Sequence, residues 1–291
     1  MAKLAPTPPP SPPRPGGKTF APYVESWLTS WNGKSLIEVP GAKAFTFAFC
    51  LSKHGKPSFD GTMPADRFLK EAKAIRAAGK DIRIAFGGAS GRELATDLRD
   101  EKALLAAYRS VVDLYECRYL DFDIEGAAVS DVETNARRNR ALKKLQDACP
   151  GLKIDFTVAV MPSGLPREVL AMLEDASAAG VKINSVNIMA MNYHDDPKSD
   201  MGALAISAAR STKKQLDAAK IGASGVGITP MIGKNDTSEV FALSHAKTVV
   251  DFARSTPWVN FLGFWALGRD NPQDTKLDVK PFDFTRAFSK L

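Results

Sequence analysis

The chain has little of what would place it in several common classes. It has no run of about 18 apolar residues, the length that crosses a bilayer, so no membrane-spanning helix is expected. It has three cysteines, Cys50, Cys117 and Cys149, at spacings that fit no zinc motif, and no cofactor or metal is expected. An odd count leaves at least one free thiol. Cys50 ends an apolar run and is expected to be a small buried hydrophobe, whereas the pairing of Cys117 with Cys149 stays open. There are three histidines, and His54 and His245 show no partner pattern. The net charge of +6 is interspersed: Arg137-Arg138 and Lys213-Lys214 fit solvated helix faces. No basic stripe is interleaved with aromatics, so no nucleic-acid partner is expected. A Gly-rich phosphate loop is missing after the first apolar run, where the chain reads Glu25-Ser26-Trp27. That argues against a doubly wound dinucleotide-binding sheet.

What is present begins with proline. Pro6 to Gly17 read PTPPPSPPRPGG, which cannot build a core and reads as a linker or tail over residues 1–18. Such segments commonly separate a catalytic domain from a binding module. Met1 to Ala5 hold no charged-then-apolar signal peptide. The expectation is a secreted, extracellular protein whose signal and binding module lie outside this sequence. Residues 19–291 are long enough for one large core.

Over that span short apolar runs alternate with helical patterns. Strands are expected at Phe20–Val24, Ala44–Cys50, Ile82–Phe86, Tyr119–Ile124, Lys153–Val160, Ser185–Met191, Gly225–Pro230 and Phe261–Trp265. Helical patterns lie between them at Pro64–Ala78, Arg92–Tyr115, Val132–Ala148, Pro166–Ala179, Met201–Ala219 and Ser238–Arg254. Eight strands with intervening helices predict a (β/α)8 TIM barrel in a single domain. Between the seventh and eighth strands there is one loop, Met231 to Thr237, and one helical pattern. That leaves no room for an inserted α+β domain.

The fourth strand carries the chemistry. In Tyr119-Leu120-Asp121-Phe122-Asp123-Ile124-Glu125, alternation puts Leu120, Phe122 and Ile124 on one face and the three acids on the other. In a barrel the apolar face packs on helices and the acids point inward. Buried carboxylates repel one another and raise at least one pKa, which yields a general acid at neutral pH. An edge strand with a solvated acidic face is the bland alternative.

Barrel active sites lie at the C-terminal ends of the strands. Those ends gather Tyr23 with Trp27 and Trp31 after strand 1, and Gly87-Gly88 after strand 3. Asp123 and Glu125 close strand 4, Met191, Asn192 and Tyr193 follow strand 6, and Met231 and Trp265 end strands 7 and 8. Carboxylates beside aromatic faces suit sugar rings. A metal would draw ligands from several strands, whereas these acids sit on one. Each neighbour has a plainer reading too. Tyr23 could be core, Met189 and Met191 packing, Gly87 and Gly88 a tight turn, and Trp27 and Trp31 either cleft or helix packing.

On these motifs the chain resembles family 18 glycoside hydrolases of the bacterial chitinase kind. The family's acidic signature, Asp-x-x-Asp-x-Asp-x-Glu, aligns with Arg118 to Glu125, and Ser-x-Gly-Gly with Ala85 to Gly88. Met-x-Tyr aligns with Met191-Asn192-Tyr193, and the strand-8 tryptophan with Trp265. The resemblance implies a retaining, endo-acting chitinase, a monomer acting on chitin or N-acetylglucosamine oligosaccharides. Glu125 would protonate the glycosidic oxygen, with the substrate's own acetamido group as nucleophile. Asp123 would orient that group, Asp121 would back Asp123, Tyr193 would hydrogen-bond the acetamido carbonyl, and Trp265 would floor the sugar. Three departures stand out. Arg118 replaces the first acid, and Ala85 replaces the serine that helps satisfy the innermost acid. His194 follows Tyr193 where an acid or amide is usual, and Asp195 is the candidate substitute. An endo-β-N-acetylglucosaminidase and a non-hydrolytic chitin-binding barrel are the rivals.

Overall fold

The computed structural model describes residues 17–291. Residues 1–16, with nearly all of the Pro-rich segment expected as a linker, lie outside the described residues. The first strand comes in two pieces, β1 (Thr19–Phe20) and β2 (Tyr23–Glu25). Between them stands Pro22, which has no N–H for a ladder. In chain order there follow β3 (Ala44–Lys53), β4 (Lys56–Phe59), α1 (Leu69–Ala77), β5 (Asp81–Gly87), α2 (Leu94–Asp97) and α3 (Glu101–Tyr115). Next come β6 (Tyr119–Asp123), α4 (Val132–Ala148), β7 (Lys153–Ala159), α5 (Arg167–Ala178), β8 (Ile183–Met189) and α6 (Met201–Ala218). The chain ends with β9 (Val226–Thr229), β10 (Gly233–Lys234), β11 (Val240–Phe241), α7 (Leu243–Ser255), β12 (Val259–Leu262), α8 (Pro272–Thr275) and α9 (Asp283–Phe288).

The strand order is β1-β12-β9-β8-β7-β6-β5-β3-β2, with all these pairs parallel. β1 pairs with the last strand and β2 with the second, so the broken first strand joins the two ends of the curled sheet. Its backbone bonds both neighbours: the Ala21 amide donates to the Leu262 carbonyl at 3.0 Å, and the Thr46 amide to that of Pro22 at 3.0 Å. This is the (β/α)8 architecture. Outward-facing side chains of neighbouring strands build the layer under the helices. Phe86 stacks on Phe122 with centroids 5.1 Å apart, and Tyr108 of α3 meets both edge-on. Inward-facing positions are largely polar, including Thr46, Arg83, Asp121, Asp155, Thr157 and Asn187, all buried.

Several boundaries differ from the sequence reading. The first helical pattern starts at Leu69, not Pro64, because Pro64–Asp66 turn through short bonds and the Arg67 side chain is drawn away to the Ser26 carbonyl (3.0 Å). The pattern Arg92–Tyr115 is two helices, since the Asp100 carboxylate caps the Ala103 amide at 3.0 Å and starts α3 afresh. The pattern Ser238–Arg254 begins as a strand. β10 and β11 form a small antiparallel hairpin after β9, and only then does α7 begin. All three cysteines are free, with Cys50 and Cys117 buried. Among the described residues no helix is long and apolar enough to cross a membrane.

Candidate active site

Alternation along β6 turns Leu120 and Phe122 out to the main apolar core and leaves Asp121 and Asp123 buried on the inner side. Asp121 is fully paired. The Tyr23 hydroxyl donates to its Oδ2 and the Thr157 hydroxyl to its Oδ1, each at 2.6 Å. The chain of donors runs on: Asn187 Nδ2 reaches the Thr157 hydroxyl (2.9 Å) and that of Tyr23 (3.1 Å), and Thr229 donates to Asn187 Oδ1 (2.9 Å). Burial raises the Asp121 pKa, while Arg83 and the two hydroxyls pull it back. Thr157 on β7 thus supplies the hydroxyl that Ala85 cannot. Arg118, in place of the first acid of the signature, pairs with Asp81 at 3.2 Å.

Asp123 is different. Its Oδ1 is buried with no partner among the described residues, and its carboxyl hydrogen-bonds that of Glu125. Burial first, then the charges of Glu125 and Asp121, hold Asp123 well above the ordinary carboxylate range. Burial raises Glu125 as well, against the opposing hydrogen bond from Asp123. Two adjacent carboxyls whose proton affinities are both raised titrate as a pair.

Close backbone approach places this pair. The Gly88 amide donates to the Asp123 carbonyl at 2.9 Å. A Cβ on Gly87, at φ +90°, would lie 2.0 Å from that same oxygen, and one on Gly88 would strike the Phe49 ring at 2.7 Å. The two glycines let the end of β5 lie directly against β6.

A groove of about 180 Å³ opens above the pair. Of the expected residues, Tyr23, Asp123, Glu125, Met191, Asn192, Met231 and Trp265 line it. Trp265 stacks on Phe49 with centroids 5.6 Å apart and planes at 15°. Trp27, 51% exposed, stands 6.3 Å from Trp265 at the rim. Trp31 does not join them. It is 1% exposed and packs in the main core, and its backbone exchanges two bonds with that of Lys34. Tyr193 is 4% exposed, and its hydroxyl is buried without a partner among the described residues. Gly88 meets Asp123 through its backbone and is not among the groove's lining residues. His194 and Asp195 are exposed, and the Asp195 carboxylate accepts from the Asp196 amide. Asp121 lies below the groove, behind Tyr23 and Thr157.

Phe49, Thr157, Thr229 and Asp236 also line the groove and were not singled out from the sequence. Thr157 could have been: it sits between Phe156 and Val158, both outward, and so faces in. Asp236 and Phe49 gave no such signal: Asp236 sits in the turn of the β10–β11 hairpin, and Phe49 lies where the β3–β5 register shifts between Phe47 and Cys50, so alternation does not place it. Among the described residues no cluster of three or more His, Cys, Asp or Glu is placed to hold a metal ion. The arrangement offers a shared proton, an unpaired carboxylate oxygen, an unpaired phenol and an aromatic floor.

No family model matches the chain. It is 33% identical over 304 residues to the probable bifunctional chitinase/lysozyme of Escherichia coli K12, covering 94% of this chain and 34% of that protein. It is 33% identical over 276 residues to endochitinase 11 of Metarhizium anisopliae, covering 87% of this chain and 52% of the relative. The chain therefore spans between a third and about half of these curated relatives. Among solved structures, the catalytic domain of a hyperthermophilic chitinase from Pyrococcus furiosus is 32% identical, with 96% of this chain and 95% of that one covered and a TM-score of 0.85. Catalytic-site mutants of active domain 2 of that organism's chitinase, complexed with chito-oligosaccharides, are 30% identical at the same coverage, with a TM-score of 0.86. Near-complete mutual coverage at this identity, joined to the acidic strand and the tryptophan floor, shows that the chain belongs to the family 18 chitinases.

Proposed function

We propose that residues 19–291 are a retaining, endo-acting chitinase domain that hydrolyses β-1,4-linked N-acetylglucosamine polymers. The observation that carries this reading is the coupled pair Asp123–Glu125 under a groove floored by Trp265. A shared proton beside an aromatic platform is what protonating a leaving-group oxygen over a bound sugar requires. The complex of a related domain with chito-oligosaccharides supports the substrate class.

The steps follow from the geometry. Glu125 gives its proton to the glycosidic oxygen. The acetamido carbonyl of the sugar attacks its own anomeric carbon, the bond to the leaving chain breaks, and a cyclic oxazolinium cation forms. Asp123, free to ionise as the proton leaves the pair, offers its unpaired Oδ1 to that cation. The Tyr193 hydroxyl donates to the acetamido oxygen, and Asp121, held by Tyr23 and Thr157, keeps Asp123 in place. Water then opens the ring, with Glu125 as base, and leaves the β-anomer. The open groove, with no domain inserted between β9 and β12, supports cutting inside chains. Among the described residues, the large apolar side chains that stand exposed, Trp27, Ile37, Val132 and Met161, come from separate segments of the chain, which supports a monomer. An insoluble polymer as substrate supports action outside the cell.

Hydrolysis of an N-acetylglucosamine hexamer tests the reading, against its fully deacetylated counterpart and an N-glycoprotein. Cleavage of the acetylated hexamer alone is expected. Release of N-glycans without attack on the hexamer would replace it with an endo-β-N-acetylglucosaminidase.

A further inference from the structure

The segment that carries Tyr193 is not held by its own strand. It leaves β8 after Met189 and bends sharply. Asn192 and His194, on either side of Tyr193, both take left-handed backbone, with φ of 53° and 59°. Left-handed backbone is uncommon outside glycine, Asn and His being among the more tolerant residues, and it is held in place by what surrounds it. Here the surroundings are the β10–β11 hairpin. Asn235 Oδ1 accepts from the Asn192 amide at 3.0 Å, and the Asp236 amide donates back to Asn192 Oδ1 at 3.0 Å. Beyond Tyr193, Glu239 Oε1 accepts from the Asp195 amide at 2.9 Å, and the Ser238 hydroxyl donates to the Asp195 carbonyl at 3.1 Å.

The two residues doing this are themselves locked. Asn235 is buried and spends its Nδ2 on the carbonyls of Met231 (2.9 Å) and Gly233 (3.2 Å). Glu239 is 0% exposed and accepts from the Thr237 hydroxyl. A fully buried carboxylate far along the chain from the acidic strand is an expensive way to stabilise a loop. It is an effective way to fix one, because a charged acceptor binds an amide more strongly than a neutral one.

We propose that Asn235 and Glu239 are positioning residues that grip the chain on both sides of Tyr193 and so fix where its hydroxyl meets the substrate. This rests on the chitinase reading, in which that hydroxyl serves the acetamido group. The grip explains why Tyr193 keeps a buried hydroxyl that no group among the described residues satisfies: the clamp, not a local partner, holds it ready. It also gives the β10–β11 hairpin a purpose that a plain crossover would not need.

A double-mutant cycle tests this. Asn235→Ala and Glu239→Gln should each lower kcat on an N-acetylglucosamine hexamer by about 10-fold and move KM by less than about 3-fold, as misplacement of a group needed in the transition state does. In a Tyr193→Phe background, which has no hydroxyl to place, each should cost less than about 2-fold. Equal cost in both backgrounds, or no cost in either, overturns the proposal. Thermal melting checks folding. If a variant melts below assay temperature, Ser238→Ala, an exposed donor to the same segment, goes through the same cycle with the same criteria. A wild-type chain without turnover on the hexamer would overturn the chitinase reading and this inference together, whereas additive losses in an active protein overturn only the clamp.

Discussion

The two ends of the barrel interior both bury carboxylates, and they treat them in opposite ways. Toward the floor, Asp155 of β7 takes a direct ion pair from Arg83 of β5 and a hydrogen bond from Asn184 at 2.7 Å. The Arg83 Nε has no acceptor, but the guanidinium lies against the faces of Tyr119 and Phe261, 4.9 and 4.2 Å from their centroids. Toward the mouth, at the end of β6 between those two strands, no cation among the described residues pairs with Asp123 or Glu125. Asp123 Oδ1 and the Tyr193 hydroxyl find no partner among the described residues. Asp121 stands between the two regimes, paired by neutral hydroxyls and within the field of Arg83. A chain able to neutralise a buried acid at one end and not doing so at the other is holding that capacity open for something else.

The comparison breaks most visibly at Glu125. Glu125→Gln keeps the shape and removes the transferable proton, so hexamer turnover should fall by about 10²–10⁴-fold with the melting temperature nearly unchanged. Near-native turnover would mean that the mouth acids are no more catalytic than those of the floor. The reverse change belongs at Arg83. Arg83→Met leaves Asp155 buried without its counter-charge and should cost about 3–5 kcal/mol of stability in denaturant melts, with turnover of the folded protein changed far less. Equal losses of stability and of turnover would erase the distinction between the two ends.

Glu25 sharpens it further. This buried carboxyl sits at the mouth end of β2 and accepts from the Gly268 amide at 3.0 Å, behind the Trp265 floor. Burial raises its pKa from 4.5 to about 7. The unfolded chain releases this proton first, so the contribution to stability is complete below about pH 4.5 and is lost as pH rises through 7. Glu25→Gln should remove that loss, making the protein more stable at pH 8 than the wild type by up to about 3 kcal/mol relative to their difference at pH 4. Parallel pH–stability curves for the two proteins would contradict this. A raised pKa alone then does not mark a catalytic group: Glu25 has its donor, and Asp123 does not.

Much of this was legible in the sequence because it is periodic. Alternation on β6 assigned Leu120 and Phe122 to the helices and the acids to the interior, and eight such runs gave the barrel. What escaped was set by contacts between distant segments. Trp31 reads like Trp27 in the sequence, but it packs against distant segments in the main core. Thr157 could replace the serine missing at Ala85 only because β7 lies beside β6 in register, Thr157 opposite Asp123. The β10–β11 hairpin hid across an expected loop, Met231 to Thr237, and the start of a helical pattern, since two residues per strand carry no period. Asn235, Asp236 and Glu239 took their meaning only once that hairpin was seen against the Tyr193 segment.

The central claim is that the unsatisfied mouth acids serve a nucleophile carried by the substrate. The most direct measurement is the anomeric configuration of the first product, followed by proton NMR on an N-acetylglucosamine oligomer before mutarotation. The account predicts the β-anomer at the newly formed reducing end. An initial α-anomer would show direct attack by water and contradict it.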